Sequence, residues 1–208
     1  MRKFILDYER AEWKALRSSF GEDIEIQGCA FHWQQALMRH IAQLGLKKAY
    51  KEDIGTRDVL RKIMALCYIP TQYIPFQFQR LKLKCTTNAL MQFAQYFEDT
   101  WLVSWKPKDW CVFNCSIRTN NTLEGHNFKF NSSCKENMPF YELVNKIFDE
   151  SDSVERDIRL VYTDALTQRI DPTYATLNKE LFEWWQCLIH GDMSVSDLVK
   201  KCARVYTL

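Results

Sequence analysis

The order of the predicted elements is the feature that most limits what this chain can fold into. Residues 4–6 (Phe-Ile-Leu) predict a short buried strand, residues 8–20 predict a helix that Gly21 ends, and residues 24–26 alternate as a second strand before Gly28. Strand, helix and strand in this order form a βαβ unit, which requires a parallel sheet. Almost every later segment has a helical pattern. We therefore expect an α/β chain that is mostly helical, with too few strands for an independent sheet.

Composition supports a folded protein with few tight turns. The 208 residues are 47% hydrophobic and 26% charged, and they include only six glycines and five prolines. This composition disfavours disorder and is sufficient for a sizeable core. The net charge of +2 does not indicate a strongly basic nucleic-acid-binding module. Lysines and arginines are scattered over the helical segments, for which solvated faces are the ordinary role and phosphate binding the alternative.

Cellular location can be partly predicted from the same sequence. The eight cysteines lack the tight spacing of a disulfide framework and indicate mostly reduced thiols in an intracellular protein. The first ten residues, MRKFILDYER, do not resemble a signal peptide, so we expect no secretion. No run of 18 apolar residues predicts a membrane span.

Helical patterns after the second strand are separated by short polar or glycine- and proline-containing segments. The predicted helices cover residues 33–44, 56–67, 75–84, 88–100, 122–130, 139–147, 177–188 and 194–206. Residues 153–165 are predicted either to extend the helix at 139–147 or to form a separate helix after it. A polar, tryptophan-containing connector is predicted at 101–118, followed by a capping cluster at 119–121.

Two acidic residues are candidates for chemistry, and each also has a plain structural role. Asp7 follows the first predicted strand, and the carboxyl ends of parallel strands are where α/β proteins bind ligands. Its position alone favours a helix N-cap. Glu124 lies in the run RTNNTLEGHN at 118–127, three residues after Asn121. This is the spacing of a capping box, which is again the favoured role for Glu124 considered alone.

Cys29 and His32 form a Cys-x2-His pair directly after the second predicted strand. A structural zinc site would need two more ligands. Cys111 and Cys115 are candidates, but their Cys-x3-Cys spacing is unusual for a zinc finger. The sequence therefore disfavours zinc, and a buried, hydrogen-bonded pair is the ordinary alternative.

Taken together, these segments resemble a known family. FILDYERA at 4–11, GCAFHWQQA at 28–36, FEDTW at 97–101 and RTNNTLEGHN at 118–127 occur in this order. This arrangement resembles the catalytic domain of the Mutator-like element (MULE) transposases over about residues 3–150. Residues 151–208 carry no motif of that family.

The resemblance implies a ribonuclease-H-like fold interrupted by a helical insertion. It divides the chain into a sheet remnant at 1–32, the insertion at 33–117, closing helices of the catalytic core at 118–150 and a helical tail at 151–208. Asp7 and Glu124 match the second and third members of the family's Asp-Asp-Glu set, which binds Mg²⁺, or Mn²⁺ in its place. Cys29, His32, Arg118, Asn120 and Asn121 match motifs near that active site.

One departure from the family pattern affects the expected activity. The family's first catalytic Asp belongs on an earlier strand, and these 208 residues contain no Asp before Asp7. We expect a carboxy-terminal portion of a DNA transposase domain that does not cleave DNA as given. The alternative is a non-catalytic, transposon-derived module that binds DNA or protein. The resemblance implies DNA as partner and the nucleus as location, and the exposed edge of the first strand predicts self-association.

Overall fold

The computed structural model describes residues 3–134, 136–162 and 172–207, with side chains at all of these except 121–124, 157–158, 161–162, 172–174 and 206–207. The strands are β1 (Lys3–Leu6) and β2 (Glu25–Gly28). The first helices are α1 (Arg10–Phe20), α2 (Ala30–Gln43), α3 (Lys47–Glu52), α4 (Ile54–Met64), α5 (Ile74–Lys82) and α6 (Asn88–Phe97). The later helices are α7 (Pro107–Trp110), α8 (Asn121–Ser132), α9 (Phe140–Tyr162), α10 (Pro172–His190) and α11 (Val195–Cys202).

The two strands form the parallel pair expected from a βαβ unit. Phe4 lies beside Ile26 and Leu6 beside Gly28, with α1 as the crossover between the strands. Both strands therefore end at the same edge, and the residues that follow them become neighbours. The prediction of a mostly helical α/β chain with one parallel strand pair is confirmed.

The prediction that Asp7 caps the first helix is wrong. Helix α1 begins at Arg10, and Glu9 occupies its N-cap position without a side-chain cap bond. Asp7 lies between the end of β1 and the start of the helix, so its carboxylate is available for contacts across the strand ends.

Several other helix boundaries also differ from the sequence pattern, among them those of α4 and α6. Helix α4 begins at Ile54, two residues before the predicted start, and is capped by Asp53, whose carboxylate accepts a hydrogen bond from the backbone N–H of Thr56. Helix α6 ends at Phe97 and continues as a π-helical segment, Glu98–Ser104, into the region predicted to be a connector. Buried Trp101 and the nearly buried Trp105 anchor this region to the core. The polar residues around them predicted a connector, because burial of these two rings depends on tertiary packing.

The chain forms two compact units. One contains Met1–Asn120 and Thr176–Leu208, and the other contains Asn121–Ala175. The first unit holds the aromatic core, in which the Trp33 and Trp110 rings stack with centroids 5.0 Å apart and Phe78 stacks on Phe97 at 4.8 Å. The second unit is built on α8 and α9, both inside its bounds.

Within the described part of the chain, no helix is both long and apolar enough to cross a membrane.

Candidate functional site

Three segments that are distant in sequence meet where β1 and β2 end. The backbone N–H of Cys29 donates to the carbonyl of Leu6 at 2.7 Å, which extends the strand pairing by one residue. The N–H of Ala30, the first residue of α2, donates to the carbonyl of Arg118 at 2.9 Å. These bonds hold the start of α2 between the end of β1 and the segment that precedes α8.

The carboxylate of Asp7 is the centre of this arrangement. Its Oδ1 lies 2.7 Å from Nδ1 of His32 and accepts a hydrogen bond from Nδ2 of Asn120 at 3.0 Å. His32 lies in the first turn of α2, while Asn120 comes 113 residues after Asp7. One oxygen therefore joins three of the motifs that the sequence analysis singled out.

Cys29 completes the cluster. The donor atoms of Asp7, Cys29 and His32 all lie within 4.8 Å of one another. Cys29 has no exposed surface, whereas the side chains of His32 and Asp7 are 22% and 41% exposed. The cluster thus extends from a buried thiol to a solvent-accessible carboxylate.

The backbone next to Asp7 is fixed by aromatic packing. The indole N–H of Trp13 donates to the carbonyl of Asp7 at 2.8 Å. The Tyr8 ring makes edge contacts with Trp101 and Trp105, with centroids 4.8 and 5.3 Å apart. Burial raises the pKa of Tyr8 well above its usual value, so Tyr8 is a neutral packing residue here. These contacts fix the backbone at Asp7 and therefore the direction in which its side chain points.

Arg118 helps to hold the third segment in place. Its guanidinium donates to the carbonyl of Cys115 at 3.3 Å and to the side-chain oxygen of Asn178 in α10. These contacts link the strand ends to α10 within the first unit. Arg118 therefore supports the position of Asn120, two residues further along the chain.

Asn121 and Glu124 lie at the start of α8, but their side chains are outside the described set. The capping-box role of Glu124 and its match to the family's third carboxylate both stay predictions.

Cys111 and Cys115 are bound elsewhere and do not complete a site with Cys29 and His32. The Cys111 thiol donates to the carbonyl of Ile69 at 3.2 Å, and the Cys115 thiol donates to Oε1 of Gln27 at 3.3 Å. Burial raises the pKa of Cys111 to about 11. Among the described residues, the third member of the cluster around Cys29 and His32 is Asp7.

The resemblance implied that Cys29, His32 and Asn120 lie near the active site, but sequence reasoning did not foresee the cluster of Asp7 with Cys29 and His32 or the direct contact of Asn120 with Asp7. A signal for the first was present, because Asp7 and Cys29 each directly follow a strand of the predicted parallel pair. The second has no local signal, since it depends on the return of the chain after the long helical stretch.

The donor atoms of the site differ in their suitability for magnesium. Mg²⁺ prefers oxygen ligands, which the Asp7 carboxylate and the Asn120 amide oxygen can supply. That amide oxygen is buried and makes no hydrogen bond within the described part of the chain. The thiol of Cys29 and the imidazole of His32 suit a softer ion. Asp7 therefore fits a magnesium site, whereas the Cys-x2-His pair does not.

Comparisons with protein-family models, curated proteins and solved structures find no match to this chain.

Proposed function

We propose that this chain is a portion of a Mutator-like element transposase catalytic domain, with a ribonuclease-H-like fold interrupted by a helical insertion. The observation that carries the proposal is the convergence on the Asp7 carboxylate of His32 and Asn120. These residues belong to three of the four motifs on which the resemblance rests. A chance likeness of short motifs gives no reason for their side chains to meet at one oxygen.

The placement of the helical stretch also supports the proposal. Helices α2 to α7 lie between β2 and Arg118, where the family has its insertion. The chain then returns to the strand ends through the bond between Ala30 and Arg118. An insertion of this kind must leave and re-enter the sheet at neighbouring points, and the hydrogen bond between Ala30 and Arg118 supports this interpretation.

In the proposed domain, Asp7 and Glu124 would hold Mg²⁺, or Mn²⁺ in its place. When bound, the metal ions of such enzymes activate the attacking oxygen and neutralise the leaving oxygen of the phosphodiester. The Asn120 amide orients the Asp7 carboxylate by donating a hydrogen bond to Oδ1, and Nδ1 of His32 lies 2.7 Å from the same oxygen. Both contacts are made to Oδ1 of Asp7. They restrict the orientation of the carboxylate, and this also determines where the second oxygen, Oδ2, lies.

The 208-residue protein contains two of the family's three carboxylates, so we expect it not to cut DNA. The experiment is incubation of the purified protein with supercoiled plasmid in Mg²⁺ or Mn²⁺, followed by measurement of nicked product. No nicking above a protein-free control is expected. Metal-dependent nicking that Glu124→Ala abolishes would refute the expectation of inactivity.

A longer protein tests the family assignment itself. The deciding observation is whether the in-frame genomic sequence upstream of Met1 encodes a strand ending in Asp. A protein that includes this strand should nick plasmid in Mg²⁺, and Asp7→Asn or Glu124→Ala should abolish the activity. Asp192→Asn, at an exposed turn residue, is the matched control and should leave nicking unchanged. Full activity of the Asp7→Asn protein would contradict the role given to Asp7.

A second function, binding of duplex DNA without cleavage, is favoured by the charge of the insertion. Residues 33–117 contain twelve Lys and Arg but only six Asp and Glu, a net charge of +6 in a chain whose total is +2. Part of this charge is on α3, where Lys47, Lys48 and Lys51 are exposed. A local excess of positive charge of this kind attracts the phosphate backbone.

Salt-dependent DNA binding tests this second function. We expect fluorescence anisotropy to show duplex binding that weakens as salt rises. Replacing Lys47, Lys48 and Lys51 by Gln should reduce the slope of log K against log salt by up to about 3, because each phosphate contact contributes about 0.9. A control protein with three other exposed lysines replaced, Lys14, Lys129 and Lys200, should keep the original slope. Equal slopes for the two triple variants would refute the assignment to α3.

Two further expectations follow from the proposed family. A DNA substrate places the protein in the nucleus, which microscopy of a fluorescent fusion tests. The outer edge of β1 would pair with other strands of the domain or with a second copy of the chain. Light scattering of the purified protein measures this self-association, and a monomer at all concentrations would argue against the second copy.

A further inference from the structure

We propose that Asp7, Cys29 and His32 bind a zinc ion, with water as the fourth ligand. The inference rests on the geometry of these three residues and does not depend on the transposase assignment. It differs from the expectation drawn from sequence, which disfavoured zinc because the candidate further ligands, Cys111 and Cys115, have an unusual spacing.

The chemistry of the three donors is that of a zinc site. Zinc is bound in proteins by thiolate sulfur, imidazole nitrogen and carboxylate oxygen, commonly with four ligands in a tetrahedron. Magnesium selects oxygen ligands and keeps several waters. A set of one thiol, one imidazole and one carboxylate therefore favours zinc over magnesium.

The distances permit coordination with small side-chain movements. Zn–S and Zn–N bonds of about 2.3 and 2.0–2.1 Å in a tetrahedron place neighbouring ligand atoms about 3.3–3.6 Å apart. The three donors already lie within 4.8 Å of one another. The Asp7–His32 pair, at 2.7 Å, would open by about 0.6 Å to admit the ion. Each adjustment is within the range of a side-chain rotation.

The backbone holds the donors in place before any ion binds. The backbone N–H of Cys29 donates a hydrogen bond to the carbonyl of Leu6, the last residue of β1. The carbonyl of Asp7 accepts a hydrogen bond from the indole N–H of Trp13. Cys29 and His32 are separated by only the first turn of α2. A preformed arrangement of this kind lowers the entropic cost of assembling the ligands.

Asn120 acts as an outer-shell partner of the proposed ion. Its amide donates to Oδ1 of Asp7, and hydrogen bonds of this type orient ligating carboxylates. Loss of such a partner commonly weakens metal binding 10- to 100-fold. If Asn120 had only a structural role, its replacement would not change the affinity for zinc. Replacement of Asn120 therefore distinguishes a metal site with a supporting hydrogen bond from a chance grouping of donors.

Charge balance is simple in the proposed site. Binding of Zn²⁺ converts the Cys29 thiol to a thiolate and releases its proton to solvent, while His32 binds as the neutral imidazole. The thiolate and the Asp7 carboxylate together neutralise the two positive charges of the ion. The exposed side of Asp7 and His32 leaves a path by which the ion and its water ligand can enter.

Cobalt substitution provides the test. The 208-residue protein is titrated with Co²⁺ under reducing conditions, and the absorption bands of tetrahedral cobalt bound to thiolate are recorded. We expect one cobalt per chain and its displacement by one equivalent of Zn²⁺ but not by millimolar Mg²⁺. Absence of thiolate-to-cobalt absorption in the folded protein, or loss of the bands on addition of magnesium, would overturn the proposal.

Variants locate the ion and keep the test independent of folding. Cys29→Ser should lose the thiolate band, but Cys29 is fully buried and its replacement can prevent folding. His32→Gln changes a partly exposed residue and should reduce Co²⁺ affinity at least tenfold while the far-UV circular dichroism is unchanged. Asn120→Ala should weaken binding 10- to 100-fold, and Cys115→Ser should match the wild type. Unchanged affinity in a folded His32→Gln protein would refute the site.

The zinc and transposase proposals fail in different measurements. The cobalt titration involves no DNA, and the nicking assay involves no thiolate absorption. If both proposals hold, zinc occupies the carboxylate that magnesium would use, and nicking by a longer protein should be inhibited by Zn²⁺ and restored when a zinc-selective chelator is added in excess Mg²⁺.

Discussion

Replacement of Gly28 by Ala directly tests the packing that positions the candidate site. Gly28 is the last residue of β2, and a Cβ atom at this position would lie 2.4 Å from Cζ and Oη of Tyr8 and 2.5 Å from Cε1. Ordinary contacts of a Cβ begin near 3.4 Å. The Tyr8 ring must therefore move by about 1 Å, or the two strands must separate.

The expected cost follows from what holds Tyr8. Its ring makes edge contacts with Trp101 and Trp105, and aromatic pairs of this kind are worth about 0.5–1.5 kcal/mol each. Weakening both contacts, with some rotamer strain, gives a loss of about 2–3 kcal/mol. This lies within the range of about 1–3 kcal/mol typical of overpacked sites. The loss is a large fraction of the 5–15 kcal/mol stability of an ordinary domain.

Urea unfolding followed by tryptophan fluorescence and circular dichroism measures this loss. Gly55→Ala is the matched control, because a Cβ there meets only Asp53 oxygens at 3.6 and 3.9 Å. Since Gly55 is inside α4, that substitution should raise the free energy of unfolding by up to about 1 kcal/mol.

A double-mutant cycle identifies Tyr8 as the cause. Tyr8→Leu removes the ring atoms that the new methyl group would meet, so Gly28→Ala should cost much less in the Tyr8→Leu background than in the wild type. A cost for Gly28→Ala below about 0.5 kcal/mol in the wild type, or an equal cost in both backgrounds, would refute the reasoning.

Three other predictions concern the first compact unit. Thr87 caps α6 by accepting the Leu90 N–H at 3.3 Å, so Thr87→Ala should lower the free energy of unfolding by about 1 kcal/mol in urea melts, whereas Thr87→Ser should change it little. Hydrogen bonds from Lys82 and Gln79 hold the pKa of Glu98 below its usual value of 4.5. The stability that Glu98 contributes is therefore fully present above pH 4.5 and is lost as the pH falls through the lowered pKa of Glu98. Thermal melts between pH 6 and 3 should show that Glu98→Gln loses less stability in acid than the wild type. The indole of fully buried Trp185 donates to the carbonyl of Tyr68 at 2.9 Å, and Trp185→Phe should cost about 0.5–1.5 kcal/mol because that hydrogen bond is lost. A melt unchanged from the wild type would contradict this.

Much of the fold was accessible from the sequence because its signals are local. Apolar runs that end at Asp7 and Gly28 predicted the strands, and the intervening pattern predicted the crossover helix, which together require the parallel pairing observed. Helix boundaries were less accessible. Asp7 has the residue type of an N-cap, but the indole of Trp13 binds its carbonyl and α1 starts three residues later.

The π-helical segment after α6 shows a second limit. Its polar residues predicted a connector, yet buried Trp101 and the Trp110 indole that binds the Trp101 carbonyl at 2.7 Å make it part of the core. No local sequence pattern predicts which residues make contacts of this kind.

By itself, the sequence determined which residues lie at the strand ends, because each strand ends where its hydrophobic run ends. Parallel pairing then brings the ends of both strands to the same edge. The sequence thereby selected Asp7, Cys29 and His32 as separate candidates. Only the tertiary structure decided that the three form one cluster, with Asn120 bonded to Asp7 from 113 residues away. The reason is physical: a distance of a few ångströms between side chains depends on the packing of the aromatic framework around Tyr8 and Trp13, and that packing is a property of the folded chain as a whole.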